Sequence, residues 1–159
     1  MDKKGGAAVT EEEMMAQALE QAYLALAEGE TPVGCVIVKE GRIIARGRNR
    51  RETEKDPTAH AEMEAIRAAA RATGDWRLTG CELYVTLEPC PMCAGAIVQA
   101  RLARVVYGAA DPRQGCAGSV YRVTEDPAFT HFCPADGGVL EKECRAVLDE
   151  FFKSARQGR

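Results

Sequence analysis

Excess positive charge, long apolar runs and aromatic bulk are all scarce in this chain. Lys and Arg number 21 against 24 Asp and Glu, for a net charge of -3, and the pI is near 5.5. The molecule as a whole therefore lacks the basic excess of a dedicated nucleic-acid binder. No stretch approaches the roughly 20 apolar residues of a membrane span. Met1 to Val9 holds two lysines and two glycines but no apolar core of signal-peptide length, so the expectation is a cytoplasmic protein with no membrane contact. Histidine occurs only twice, so a site that needs imidazole must draw on His60 or His131. Seven cysteines is an odd count, which excludes a fully paired disulfide framework and points to thiols or metal ligands. Repeats, linkers and low-complexity segments are absent. Basic residues do gather locally, at Arg101, Arg104, Arg113 and Arg122 and again at Lys153, Arg156 and Arg159, which leaves a basic patch open.

What the chain does contain suffices for a single folded domain over residues 1–159. Hydrophobic residues make up 46% and charged residues 28%, the proportions of a globular rather than a disordered protein. Thr10 followed by Glu13 has the form of a capping box, and Met15, Leu19, Ala22 and Leu26 recur at helical spacing until Gly29. Val33 to Val38 is a β-branched apolar run, Glu40-Gly41 a turn, and Ile43 to Arg48 the returning strand. After a polar connection, Asn49 to Asp56, the Ala, Glu, Met and Arg content of Ala61 to Ala72 predicts a second helix. Cys81 to Thr86 reads as a strand, Pro91 to Ala100 as a short helix with proline in its first turn, and Leu102 to Tyr107 as a strand. Asp111 to Gly118 is Gly-rich and irregular, and Val139 to Arg156 forms a closing helix. Strands alternating with helices after an initial hairpin predict an α/β fold, a three-layer α/β/α arrangement with a mixed central sheet.

Two short motifs carry the chemistry. Cys90 and Cys93 stand three residues apart at a predicted helix start, which puts both sulfurs on one face. The positive end of that helix favours thiolate, the form that a soft tetrahedral ion such as zinc requires. Two cysteines leave such an ion two ligands short, and His60, heading the preceding helix, is the third. At a helix start His60 and Glu62 can face one pocket, although two residues apart. Three protein ligands leave a fourth position open to solvent, the mark of a catalytic rather than a structural zinc. Glu62 then moves the protons of the water activated there. A fourth ligand from Cys35, Cys81, Cys116, Cys133 or Cys144 would instead close a structural knot and leave Glu62 without a role. A lone C-x-x-C would fit a redox pair equally well, but Pro89 ahead of it and the upstream His-x-Glu make the combination specific.

His60-Ala61-Glu62 with Pro89-Cys90-Pro91-Met92-Cys93 is similar to the H-x-E and P-C-x-x-C signature already established for the zinc nucleobase deaminases. Pro32-Val33-Gly34, Gly47 to Asn49, Asp56 to Glu62, Leu83 to Pro89, Cys93 to Gly95 and Arg104 to Gly108 closely resemble the bacterial tRNA-specific adenosine deaminases. Gly115, Ala117 to Ser119, Gly138 to Leu140, Glu143-Cys144 and Phe151-Phe152 extend the likeness over nearly the whole chain. The resemblance implies a cytidine-deaminase-like fold, a homodimer, a Zn2+ cofactor, and deamination of adenosine to inosine at the anticodon wobble position of tRNA. It also implies that Asn49 hydrogen-bonds the base, that Val33 and Ala61 line its pocket, that Asp111 contacts a flanking ribose and that Phe151 holds the RNA loop. An anticodon loop presents unstacked bases, so no duplex need be opened. Read from the residues alone, Asn49 and Asp111-Pro112 also suit turns, and Val33 and Phe151 suit a packed core. The chain departs from the family pattern at Ala110, where Lys or Arg is usual, at Thr130, where Asn is usual, and across residues 132–138. These departures bear on substrate, so a deaminase of a free base or nucleoside, such as guanine or cytosine, is the alternative. A non-catalytic zinc-stabilised module is a third reading, and Glu62 argues against it.

Overall fold

The computed structural model describes residues 9–157. Residues 1–8, read above for a leader, and Arg159 of the C-terminal basic group lie outside them. Helix α1 (Glu11–Ala27) starts at the expected box: Thr10 Oγ1 accepts from the Glu13 N–H at 3.1 Å and the Glu13 carboxylate accepts from the Thr10 N–H at 2.8 Å. Strands β1 (Gly34–Lys39) and β2 (Arg42–Arg48) form the hairpin, turned at Glu40 and Gly41, whose φ values of 52° and 77° are both left-handed, as a tight right-twisted hairpin requires. A short helix α2 (Arg51–Glu54) leads to α3 (Ala61–Thr73), β3 (Cys81–Leu87), α4 (Pro91–Gln99), β4 (Arg104–Ala109), a 3-10 turn (Val123–Glu125), β5 (Ala135–Asp136) and α5 (Glu141–Gln157).

The five strands form one mixed sheet in the order β2-β1-β3-β4-β5. β1 runs antiparallel to both β2 and β3, whereas β3, β4 and β5 are mutually parallel neighbours. Alternation along the central strands divides two cores. Cys35, Ile37, Leu83, Val85 and Val105 pack with Ala61, Ala65 and Ala69 of α3 and Ile97 of α4. Val36, Val38, Tyr84 and Val106 pack with Met14, Met15, Ala18, Leu19 and Ala22 of α1 and Cys144 and Val147 of α5. Burial on both faces explains why these strands read as continuous apolar runs rather than as alternation.

The layers close tightly where the site begins. Alanine at positions 61, 65 and 69 gives α3 a flat face, and Gly47 of β2 lies directly beneath its first turn. A Cβ at Gly47 would overlap the Ala61 carbonyl oxygen and come within 2.6 Å of the Ala65 nitrogen, distances that force the helix off the sheet. Most element ends fall within two residues of expectation, and three differences are instructive. The strand predicted from Leu102 begins at Arg104, because Arg101 takes a left-handed φ of 61° and turns the chain there. The polar connection Asn49 to Asp56 contains α2, and residues 132–138 contain β5, which adds to the sheet beside Val105 and Val106. Two residues of strand and four of helix are too short for any periodicity to reveal.

Candidate metal centre and substrate cleft

His60 is the N-cap of α3 and Cys90 the N-cap of α4; Pro91 fills the first helical position of α4 and Cys93 the third. The two helix starts converge, and His60 Nδ1 lies 3.6 Å from both Cys90 Sγ and Cys93 Sγ. Bonds of about 2.1 Å to nitrogen and about 2.3 Å to sulfur at a tetrahedral angle subtend about 3.6 Å, so both nitrogen-to-sulfur spacings already match a zinc tetrahedron, and the two sulfurs lie within 4.8 Å of each other. Among the described residues no other His, Cys, Asp or Glu joins this group, which leaves the fourth direction free, as catalysis requires. His131 is engaged elsewhere, its Nε2 2.7 Å from the Leu102 carbonyl oxygen. A hydrogen bond from Cys93 holds the Cys90 thiol down to about 4. The same pairing, with burial, pushes Cys93 up. The pair therefore gives up one proton readily and the second to a cation that binds both sulfurs.

Glu62, the second residue of α3, is 4% exposed. Burial, and next the charge on Cys90, raise its carboxyl to about 7, so it exchanges a proton near neutral pH. It lines a cleft with Thr31, Val33, Asn49, Arg51, His60, Ala61, Leu87, Glu88, Cys90, Asp111 and Gln114, a concave site of apolar walls with a few converging polar groups. The cleft thus gathers His60, Glu62, Cys90, Asn49, Val33, Ala61 and Asp111. Asn49 also builds its own surroundings: its side chain donates to the Thr31 carbonyl at 3.1 Å and accepts from the Arg51 N–H at 3.1 Å. Asp111 likewise accepts from the Arg113 and Gln114 N–H groups at 3.0 and 3.3 Å. Each keeps further hydrogen-bonding capacity for a ligand.

A groove continues from the cleft, sharing Thr31, Arg51, Leu87, Asp111 and Gln114 with it and adding Arg113, Arg145, Leu148, Asp149 and Phe152. Lys153 and Arg156 extend its far end. Phe152, 46% exposed, stands on this wall; Phe151 is half-buried and meets it edge-on, ring centroids 5.4 Å apart. Of the first group of arginines read from the sequence, Arg113 lies here and Arg101, Arg104 and Arg122 do not. Arg101 donates to the Val98 and Gln99 carbonyls and sits 5.6 Å from the Trp76 ring, Arg104 pairs with Glu11 and Asp136, and Arg122 pairs with Glu125. Arg51 and Arg145 reach the groove from α2 and α5, contributions that proximity in sequence could not indicate.

Two buried carboxylates also escaped the sequence reading. Glu30, 1% exposed, accepts from the Glu52 N–H at 3.1 Å and from the Thr53 N–H and hydroxyl at 2.6 Å each. It seats α2, and with it Arg51, on the cleft rim, while these donors hold its carboxyl below the ordinary range against the opposing effect of burial. Glu88, directly ahead of the Pro89-Cys90 step, organises the opposite wall. Its position beside the metal motif was the one available signal.

Residues 8–109 match the family model of the cytidine and deoxycytidylate deaminase zinc-binding region. The chain is 48% identical over 150 residues to the tRNA-specific adenosine deaminase of Bacillus subtilis (strain 168), covering 94% of this chain and 93% of that protein. A solved structure from studies of A-to-I editing by tRNA:A34 deaminases is similar with a TM-score of 0.81 at 45% identity, over 84% of this chain and 97% of that one. The structure of guanine deaminase from Bacillus subtilis is similar with a TM-score of 0.62 at 46% identity, over 64% of this chain and 66% of that one.

Proposed function

Because the chain belongs to the cytidine and deoxycytidylate deaminase family, on its tRNA-specific adenosine deaminase branch, we propose that it converts adenosine to inosine at the wobble position of a tRNA anticodon, releasing ammonia. His60, Cys90 and Cys93 hold zinc, which when bound supplies the Lewis acidity that makes water a nucleophile near neutral pH. Glu62 takes a proton from the attacking water as its oxygen bonds to the amino-bearing purine carbon, and passes that proton to the adjacent ring nitrogen. It then carries the remaining hydroxyl proton to the amino group, the C–N bond breaks, and ammonia leaves. Val33 and Ala61 give the base an apolar slot beside these atoms, and Asn49 offers amide hydrogen bonds at its edge.

The observation that carries an RNA substrate is the groove. On a chain of net charge -3, Arg51, Arg113 and Arg145 line the groove that continues from the cleft and Lys153 and Arg156 the depression adjoining it, five basic groups against the carboxylates of Asp111 and Asp149, with Phe152 presented on the wall. Backbone phosphates and an unstacked base are the chemistry that such a channel fits. Zinc-loaded enzyme offered an anticodon stem-loop beside free adenosine, cytidine, cytosine and guanine is expected to form inosine at the wobble position of the stem-loop alone. Conversion of guanine or another free compound alone would move the substrate to base or nucleoside metabolism, the direction in which the guanine deaminase likeness points. The cytoplasmic assignment follows the tRNA substrate and stands or falls with it; among the described residues no helix is long and apolar enough to cross a membrane.

The working unit proposed is a homodimer. One segment carries Val120 at 44%, Tyr121 at 67%, Phe129 at 50% and Phe132 at 60% exposure, large apolar side chains that a subunit contact would cover. Its chain neighbour is the loop that forms a wall of the cleft, so a two-fold contact there would support both sites. Sedimentation equilibrium at micromolar concentration is expected to give twice the chain mass, with Tyr121→Asp shifting it to the monomer; a monomeric parent protein would refute the assignment.

A further inference from the structure

Glu88 is 2% exposed, and among the described residues no basic side chain pairs with it. A buried carboxylate without a cation is costly unless hydrogen bonds replace its water, and here one loop provides all of them. Asp111 donates its N–H to Oε1 at 3.0 Å, the Ser119 hydroxyl donates to the same oxygen, and the Ala117 and Ser119 N–H groups donate to Oε2 at 3.0 and 2.9 Å. The loop is also tied at its centre, where the Cys116 N–H donates to the Pro89 carbonyl at 2.8 Å. Gly115 is demanded by this approach, because a Cβ there would overlap the Glu88 carboxylate. The carboxylate stands two residues from Cys90, at the junction of β3 and the metal-bearing start of α4. The loop it gathers presents Asp111 and Gln114 to the cleft.

We propose that Glu88 is a positioning residue, latching the 111–119 loop to the metal-bearing end of α4 and so fixing the wall against which the nucleotide is held. The chemistry described above makes no use of Glu88. What the latch supplies is register: the substrate wall and the metal ligands are held by one side chain and move as one body. The proposal rests on the deaminase reading of the cleft, not on which substrate enters it.

The test is Glu88→Gln, which keeps the volume but can match only part of the donor set. The least costly placement turns the amide NH2 to the Ser119 hydroxyl, which can rotate to accept, and leaves the Asp111 N–H facing a donor. Zinc content and kcat are expected to hold, while KM rises about tenfold for whichever member of the substrate panel the parent enzyme converts, the loss of roughly one charge-assisted hydrogen bond. The Asp111 amide should also exchange with solvent faster than in the parent protein. Gly115→Ala, which leaves Glu88 in place but sets a methyl against it, should raise KM in the same direction. Unchanged KM and unchanged amide exchange in Glu88→Gln would overturn the latch. So would loss of zinc, or a fall in kcat at constant KM, since either would make Glu88 a support for the metal helix instead. A parent enzyme that converts nothing in the panel would defeat the functional reading, and the amide-exchange comparison would still decide the latch.

Discussion

Glu62→Gln is expected to retain stoichiometric zinc while turnover falls by about 10³- to 10⁴-fold, at the upper end of what a single general acid–base group contributes. The size follows from the position of Glu62, which serves both proton transfers from a pocket that admits no obvious replacement. Metal analysis beside a single-turnover assay checks both halves, and full turnover in the variant would remove Glu62 from the mechanism. The same substitution has an opposite effect on stability. The Glu62 carboxyl is raised from 4.5 to about 7 by burial, so the folded chain binds its proton more tightly than the unfolded chain. Its contribution to stability is therefore complete below about pH 4.5 and is lost as pH rises through about 7. Metal-free Glu62→Gln, which cannot ionise, should thus exceed the metal-free parent by about 3 kcal/mol at pH 8 and match it near pH 4. Chemical denaturation at the two pH values measures the difference. Parent and variant equally stable at pH 8 would mean that the burial of this charge is relieved by something else.

Cys93→Ala is expected to lose zinc and turnover together, to below detection, with the fold retained. Cys93 is buried at the third position of α4, and its removal leaves a tetrahedral ion with one sulfur and one imidazole. The fold should survive because both cores close without the metal: Ile37, Leu83 and Val105 are fully buried on one face of the sheet, and Met15, Val36 and Val147 on the other. Small zinc domains that unfold when stripped have no such cores. Chelation of the parent protein should accordingly abolish turnover while leaving the far-ultraviolet circular dichroism unchanged, and added zinc should restore activity. Collapse of the helical signal on chelation would mean that the ion is a structural element.

Much of this was legible in the sequence, and the pattern of what was missed has a physical basis. The capping box at Thr10, the hairpin turn at Glu40-Gly41 and the apolar periods of the first and last helices are local signals, and each element appears within two residues of where they predict. The metal triad was legible for a related reason: helix caps are short motifs, and two of them bring their own direction with them. What escaped depends on packing between distant segments. Glu30 reaches α2 across more than 20 positions, Glu88 gathers a loop that begins 23 residues later, and Arg145 reaches the rim at the Ala110 carbonyl from 35 residues away. A buried carboxylate looks like any other carboxylate in a sequence, and only the fold removes its water. The basic patch left open by the sequence divides: Arg113, Lys153 and Arg156 line the groove, whereas Arg104 and Arg122 pair with Glu11, Asp136 and Glu125.

The place of β3 in the sheet governs the order in which this enzyme can be made. β3 is the central strand, flanked by β1 on one side and β4 on the other, and it separates the segment bearing His60 from the segment bearing both cysteines. As the chain leaves the ribosome, α1, the hairpin and α3 emerge first and present a lone imidazole, which holds zinc poorly. The second and third ligands acquire their places only once β3 has docked along β1 and α4 has followed it. Metal loading is therefore a late event in biogenesis, open to competition from other ions until then, and a cell short of zinc would accumulate folded, inactive protein that zinc supply can rescue without new translation.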